Sequence, residues 1–234
     1  MTNGKTIDEP GSGFDPHDPF ANRDPRCLET FAAPGSRIYG IEWNPAPNAL
    51  EIMDYTQNRM ITNKDSKGGS DASNCAYNGC CLRKGAQESW RTTLYNDNPV
   101  ILMRYADVLL MYAEAQTEYL NKAQGQGTIS DETVYAAIEQ VRERAGLNPY
   151  TLKRNMSYEE LIKIIRNERR CEFAFEESRF WDIRRWKIAE DVYSKPLHGV
   201  KITKNADNTF HYDYNMVVTN PFWDNRMYRL PIDN

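Results

Sequence analysis

The chain has 234 residues, enough for one or two packed domains. It is 40% hydrophobic and 26% charged, ordinary for a globular protein, and its net charge of -4 offers no attraction to nucleic acid or an anionic membrane. No run of ~18 apolar residues is present to span a bilayer, and Met1-Thr2-Asn3-Gly4-Lys5 lacks the apolar stretch of a signal peptide.

Seven of the twelve prolines precede Leu50, so this part is expected to be extended and turning. Residues 37–55 hold aromatic and β-branched residues without a sustained period; they read as loop with at most a short strand. ITNKDSKGGSDAS (62–74) is a polar loop rich in turn residues. A first helix is expected over 99–121, capped by Asn98 with Pro99 in its first turn. A second starts near Ser130: Val134, Ala137, Ile138, Val141 and Ala145 form one apolar stripe, and Gly146 suits the left-handed stop. A third opens on the capping box Ser157-Tyr158-Glu159-Glu160 and runs to about Phe175. A fourth is expected over 179–192. From Pro196 the chain reads as loops, and 221–234 as extended. The first two helices together span about the 34 residues of a tetratricopeptide unit.

The five cysteines are an odd number and form no tidy disulfide framework. Cys75 and Cys80 are close enough in sequence to pair, although spacing alone does not supply the geometry. Cys171 reads as a small buried hydrophobe. No second Cys or His pair stands near enough for zinc. Asp15, His17 and Asp18 lie in a proline-rich turn, which explains them better than a metal does.

The third and fourth helices carry most of the charge. Glu168, Glu172 and Glu176 are four apart and share a face. Arg169, Arg170, Arg179, Asp182, Arg184 and Arg185 surround them, interleaved with Phe173, Phe175, Phe180, Trp181 and Trp186. Paired carboxylates suit glycosidase chemistry, but neighbouring arginines would hold them ionised. A di-iron bundle needs Glu-x-x-His, and the three histidines lie elsewhere. Seven basic and five acidic residues between 166 and 187 favour self-pairing over phosphate binding. The remaining reading is an ion-pair network that fastens packed helices, with the aromatics as core.

ERRCEFAFEESRFWDIRRW (168–186) closely resembles the SusD/RagB family of Bacteroidetes nutrient-uptake lipoproteins, as does NPVILMRYADVLLMYAEAQ (98–116). IEQVRERAG (138–146), the Arg23-Asp24-Pro25-Arg26 turn, Leu82-Arg83-Lys84 and MYRLPI (227–232) follow in the family's order. The resemblance implies a mainly α fold of tetratricopeptide-like helix pairs with long loop-rich segments and little strand. It implies a single domain matching the C-terminal half of the family. Residues 1–97 would be a loop-rich ligand side, 98–192 the helical core and 193–234 a loop-rich C-terminal segment. It also implies a surface-exposed outer-membrane lipoprotein that binds oligosaccharide or polysaccharide and works with a SusC-like TonB-dependent transporter. No enzymatic activity, cofactor or metal is implied, and membrane attachment would run only through a lipid anchor absent from this chain. The alternative is a tetratricopeptide scaffold that binds protein and has no sugar site.

Sugar rings have apolar faces and polar edges, so aromatic residues on loops with amide or guanidinium neighbours are the expected ligand contacts. Tyr39, Trp43, Tyr77 and Trp90 fit best, with Asn44, Asn78 and Arg91 beside them. Trp181 and Trp186, within the packed block, are poor candidates.

Overall fold

A computed structural model describes residues 1–65, 79–91 and 101–229, with the side chains of Trp90 and Arg91 outside that description. In chain order, helix α1 (Pro25–Thr30) leads into strands β1 (Phe31–Ala32), β2 (Arg37–Ile38), β3 (Ile41–Glu42), β4 (Glu51–Asp54), β5 (Arg59–Thr62) and β6 (Cys81–Leu82). Then come α2 (Tyr105–Lys122), β7 (Thr128–Ile129), α3 (Glu132–Arg144), β8 (Met156–Ser157) and α4 (Tyr158–Glu172). The chain continues with α5 (Ser178–Arg185), α6 (Ala189–Tyr193), β9 (Leu197–His198), β10 (Lys201–Lys204), β11 (Phe210–Asp213) and β12 (Val217–Thr219). The fold is mainly helical, and its strands are short. It divides into two compact units, Met1–Glu29 with Asp97–Glu176, and Thr30–Asn96 with Glu177–Asn234.

The first unit is built on α2, α3 and α4, with α2 packed against both of the others. Its core is the expected stripe of α3 (Val134, Ala137, Ile138, Val141) closed by Leu110 and Ala113 of α2 and Leu161 and Ile165 of α4. The α3 N-cap is Asp131, whose carboxylate accepts from the Thr133 N–H, and Gly146 has φ +79 just past the helix end. The Ser157–Glu160 capping box forms as its sequence predicts: Ser157 accepts from the Glu160 N–H, and Glu160 accepts from the Ser157 N–H. Tyr135 fastens the small β7–β8 pair. Its hydroxyl donates to the Ile129 carbonyl at 2.8 Å and accepts from the Met156 N–H at 3.0 Å, inside a fully buried site.

Three helix boundaries differ from the expectation. The first helix begins at Tyr105, because Arg104 is extended and the Asp107 carboxylate reaches back to its N–H at 2.8 Å. Residues 101–104 are therefore not helical, and Asn98 and Pro99, expected to cap and open the helix, lie outside the described residues. The third helix stops at Glu172; Phe175 and Glu177 have positive φ, which ends the helical run. The fourth is two helices, interrupted where Lys187 has φ +57.

The second unit carries a four-stranded antiparallel sheet in the order β2-β3-β4-β5, where residues 37–55 read as loop. Residues beyond Pro196 are also not all loop: β10 pairs with β11 and β9 with β12. These strands run two to four residues, too short for alternation to show in the sequence. The expected extended C-terminus contains a 3-10 turn at Asn225–Tyr228 within the described residues. Cys171 is half-buried, and burial pushes its thiol pKa up. The proposed Cys75–Cys80 pairing falls on Cys75, outside the described residues.

Candidate functional site: a charged clamp and an aromatic sheet end

The charged face of α4 is buried. The side chains of Glu168 and Glu172 are 3% and 2% exposed. Their partners come from far along the chain and are not the adjacent arginines that the sequence suggests. Arg26 Nη1 reaches Glu168 at 2.6 Å and Glu172 at 2.9 Å, while its Nη2 holds Asp24 at 2.6 Å. Arg104 Nη1 donates to Glu172 at 2.8 Å, and its Nε and Nη2 grip both oxygens of Glu176 at 2.9 and 3.0 Å. Arg142 stands 3.5 Å from Glu168, and Arg144 pairs with Glu172. Arg169 turns toward Glu114 of α2, and Arg170 is exposed.

The two carboxylates respond in opposite ways. Burial would raise the Glu172 pKa, but hydrogen bonds from Arg104 and Arg26 and the charge of Arg144 outweigh it, so Glu172 lies below its ordinary value. Burial dominates at Glu168, whose pKa is raised despite Arg26 and Arg142. The expectation that arginines hold all of these carboxylates low therefore fails at Glu168. Split pKa values can mark an acid–base pair. Here both carboxylates are buried under guanidinium groups, so they offer no oxygen to a substrate. The arrangement is a clamp that ties α4 to the Arg26 turn, to the start of α2 and to the end of α3.

A different chemistry collects at one end of the four-stranded sheet. Strands β2 and β3 pair Ile38 with Ile41 across Tyr39-Gly40, whose φ values of +52 and +74 make the tight turn. The Tyr55 N–H donates to the Gly40 carbonyl at 3.0 Å, so the residue after β4 lies against this turn. The Arg37 guanidinium lies 5.9 Å from the centre of the Tyr55 ring. The turn after β4 is held by buried Asp54, whose Oδ1 accepts from the N–H and hydroxyl of Thr56 and the N–H of Gln57. Tyr55, Gln57, Asn58 and Arg59 are all exposed. The sheet end thus presents the Tyr55 ring edged by amide and guanidinium groups, while Tyr39 packs on the Ala32, Ile38 and Trp43 cluster.

Among the expected ligand residues, Tyr39 stands at this end, half-buried, with its phenol pKa raised by burial. Trp43 does not stand there. It is 2% exposed and packs with Ala32 and Ile38, so it is core and has no ring face for a ligand. Asn44 is also buried, spending its side chain on Glu42 and on the Ala46 N–H. Tyr77 and Asn78 lie outside the described residues, and only the backbone of Trp90 is described, in a 3-10 turn at Glu88–Arg91. Tyr55 was missed because an isolated tyrosine in an aperiodic stretch carries no signal. Trp181 reverses its expectation: it is 56% exposed, edge-on to Phe180. Trp186 is half-buried, with the Arg185 guanidinium 4.7 Å from its ring centre.

In the proline-rich turn, Asp15 accepts from the His17 N–H at 2.8 Å. Among the described residues, no group of three or more His, Cys, Asp or Glu could hold a metal ion.

The SusD family model matches residues 1–234. SusD-like protein P2 of Formosa agariphila is 35% identical over 181 residues, which cover 75% of this chain and 32% of that protein. The crystal structure of a SusD-like protein from Bacteroides fragilis matches with a TM-score of 0.61 at 26% identity, over 89% of this chain and 36% of that one. The chain thus spans about a third of the length of these two relatives.

Proposed function

Because the chain belongs to the SusD family, we propose that it takes part in capturing oligosaccharide or polysaccharide at the bacterial outer-membrane surface and handing it to a SusC-like TonB-dependent transporter. The match across all 234 residues carries this reading. It assigns no catalytic step, and Glu168 and Glu172 of α4 serve in the buried clamp. It places attachment to the membrane in a lipid anchor. Among the described residues, no helix is long and apolar enough to cross a membrane.

The sugar contact assigned by this reading is the sheet end. Tyr55 supplies an exposed apolar face, Tyr39 a second ring, and Arg37, Gln57 and Asn58 supply hydrogen-bond donors for ring hydroxyls. Isothermal titration against a panel of polysaccharides tests it. At least one glycan is expected to bind, and Tyr55→Ala is expected to weaken that binding by about tenfold or more without lowering Tm. Failure of every glycan, together with tight binding of a peptide or partner protein, refutes the sugar reading. Retained affinity in Tyr55→Ala and Tyr39→Ala moves the site elsewhere.

A further inference from the structure

Strand alternation sorts the four-stranded sheet into two faces. Ile38, Ile52 and Asp54 are buried on the inner one. The outer one carries Arg37 and Glu42, paired across β2 and β3, and Met53 and Met60, paired across β4 and β5. The Met53 N–H donates to Glu42 Oε2 at 3.3 Å, which joins the two pairs into one row across the sheet. Tyr55 continues the outward alternation of β4, and Glu51 pairs with Thr62 at the far end of the same face.

Apolar groups meet in the middle of this face. Tyr55 is 45% and Met60 51% exposed, and the half-buried Met53 joins them. Single exposed apolar side chains are ordinary; a cross-strand pair that prolongs an exposed aromatic ring makes a patch. From Tyr55 to Glu51 the strip runs ~14 Å at the usual strand rise, longer than one sugar ring fills. Its flanks are polar. Arg37 stands beside it, 5.9 Å from the centre of the Tyr55 ring, and exposed Thr62 closes its far end. The Glu42 carboxylate is fixed alongside by the Asn44 amide at 3.1 Å and by the Met53 N–H.

We propose that this strip selects extended polysaccharides, with a flat β-1,4-linked pyranose backbone as the substrate class. The inference rests on the sugar reading above and adds Met53 and Met60 to that site as specificity-determining contacts. In a β-1,4-linked chain the rings follow one another in a straight ribbon, with apolar C–H faces outward and hydroxyls along both edges. Such a ribbon lays successive rings on Tyr55 and on the methionine pair, while its edge hydroxyls meet Arg37 and Glu42. An α-1,4-linked chain coils, so it leaves a straight strip beyond the ring that Tyr55 holds. Methionine suits the second contact, because its unbranched, polarisable side chain adapts to a ring without imposing a plane of its own.

The test is isothermal titration of the intact chain with the ladder from cellobiose to cellohexaose and the ladder from maltose to maltohexaose. Affinity in the first ladder is expected to rise about tenfold or more between cellobiose and cellotetraose, with no such rise in the second. Met60→Ser should bind cellobiose as the parent does yet lose most of the gain with length, whereas Tyr55→Ala should weaken every member and Lys163→Gln none. Met60 is exposed, so circular dichroism should find its variant folded. As a second readout, cellotetraose should shift the methyl resonances of Met53 and Met60 in the unmutated chain. The proposal is overturned if affinity does not depend on length, if Met60→Ser keeps the parent's length dependence, or if maltose oligomers bind as well. It is also overturned if neither ladder binds while another polysaccharide does, an outcome that leaves the sugar reading standing. Failure of every glycan overturns both.

Discussion

Glu172 is the centre of the clamp, and replacing it with glutamine tests the clamp directly. The side chain is 2% exposed and faces the guanidinium groups of Arg26, Arg104 and Arg144. Glutamine keeps the shape and removes the charge. Breaking a buried ion pair from one side costs ~3–5 kcal/mol. Arg144 is 57% exposed and contributes little, and Arg26 retains Glu168 and Asp24, so the lower end applies, about 3 kcal/mol. For a chain of this size that is a fall in Tm of about 6–12 °C. A cycle with Arg104→Gln should show about 1–2 kcal/mol of coupling, whereas a cycle with exposed Arg170→Gln should be additive to ~0.5 kcal/mol. The pH dependence has a definite sign. The folded pKa of Glu172 lies below its ordinary 4.5, so its contribution is present above that value and lost as pH falls through the folded pKa. Glu172→Gln therefore costs more at neutral pH than at about pH 3. Glu168 is raised, so its contribution is fully present below the ordinary value and lost as pH rises through the folded pKa. Glu168→Gln accordingly costs less at neutral pH than in acid. Equal coupling to Arg104 and Arg170, or the same pH trend for both glutamates, refutes the clamp.

Three smaller perturbations address the helical unit. Tyr135→Phe strands the Ile129 carbonyl and the Met156 N–H in a buried site and should cost ~1–3 kcal/mol in urea unfolding; no change would mean that water replaces the hydroxyl. Ser157→Ala removes the side-chain acceptor for the Glu160 N–H and should cost about 1 kcal/mol, read as a lower thermal midpoint by circular dichroism. At Gly146 an added Cβ would meet Pro25 Cγ only at an ordinary 3.5 Å, so Gly146→Ala tests the backbone alone. With φ at +79 it should cost roughly 1–2 kcal/mol, and Gly146→Asn, more tolerant of that conformation, should cost less.

Local chemistry was legible where one segment contains both partners. Ser157 and Glu160, or the α3 stripe with Gly146 behind it, are each decided within a few residues, and the structure repeats them. The clamp was legible only by half. The spacing of Glu168, Glu172 and Glu176 puts them on one face, but Arg26 is separated from Glu172 by 146 positions, and no local pattern joins them. Proline at position 99 marked a helix start too early, because the capping role falls to Asp107 reaching back to an extended Arg104. Trp43 and Trp181 exchanged roles for a related reason. The first sits in a polar, proline-rich stretch yet is buried beside Ala32 and Ile38; the second sits in the densest helical block yet faces outward. Exposure of a single aromatic is a tertiary property, which its neighbours in sequence do not determine.

That division also explains how a helix can announce a family without performing its task. In the clamp, Glu172 is shared by Arg26, Arg104 and Arg144, so its loss weakens several ion pairs at once and costs a large share of stability. The pattern is therefore recognisable over 168–186 as a block. Tyr55 stands under no such constraint: its turn is set by Asp54, and its ring is presented to solvent. A residue there can change to suit a different sugar while the turn beneath it persists. On the sugar reading, then, specificity belongs to positions where the sequence pattern is weakest, and exchanging Tyr55 for tryptophan should alter which glycans bind while leaving Tm unchanged. A Tm that moves together with the glycan profile would place Tyr55 in the structural core and remove it from the site.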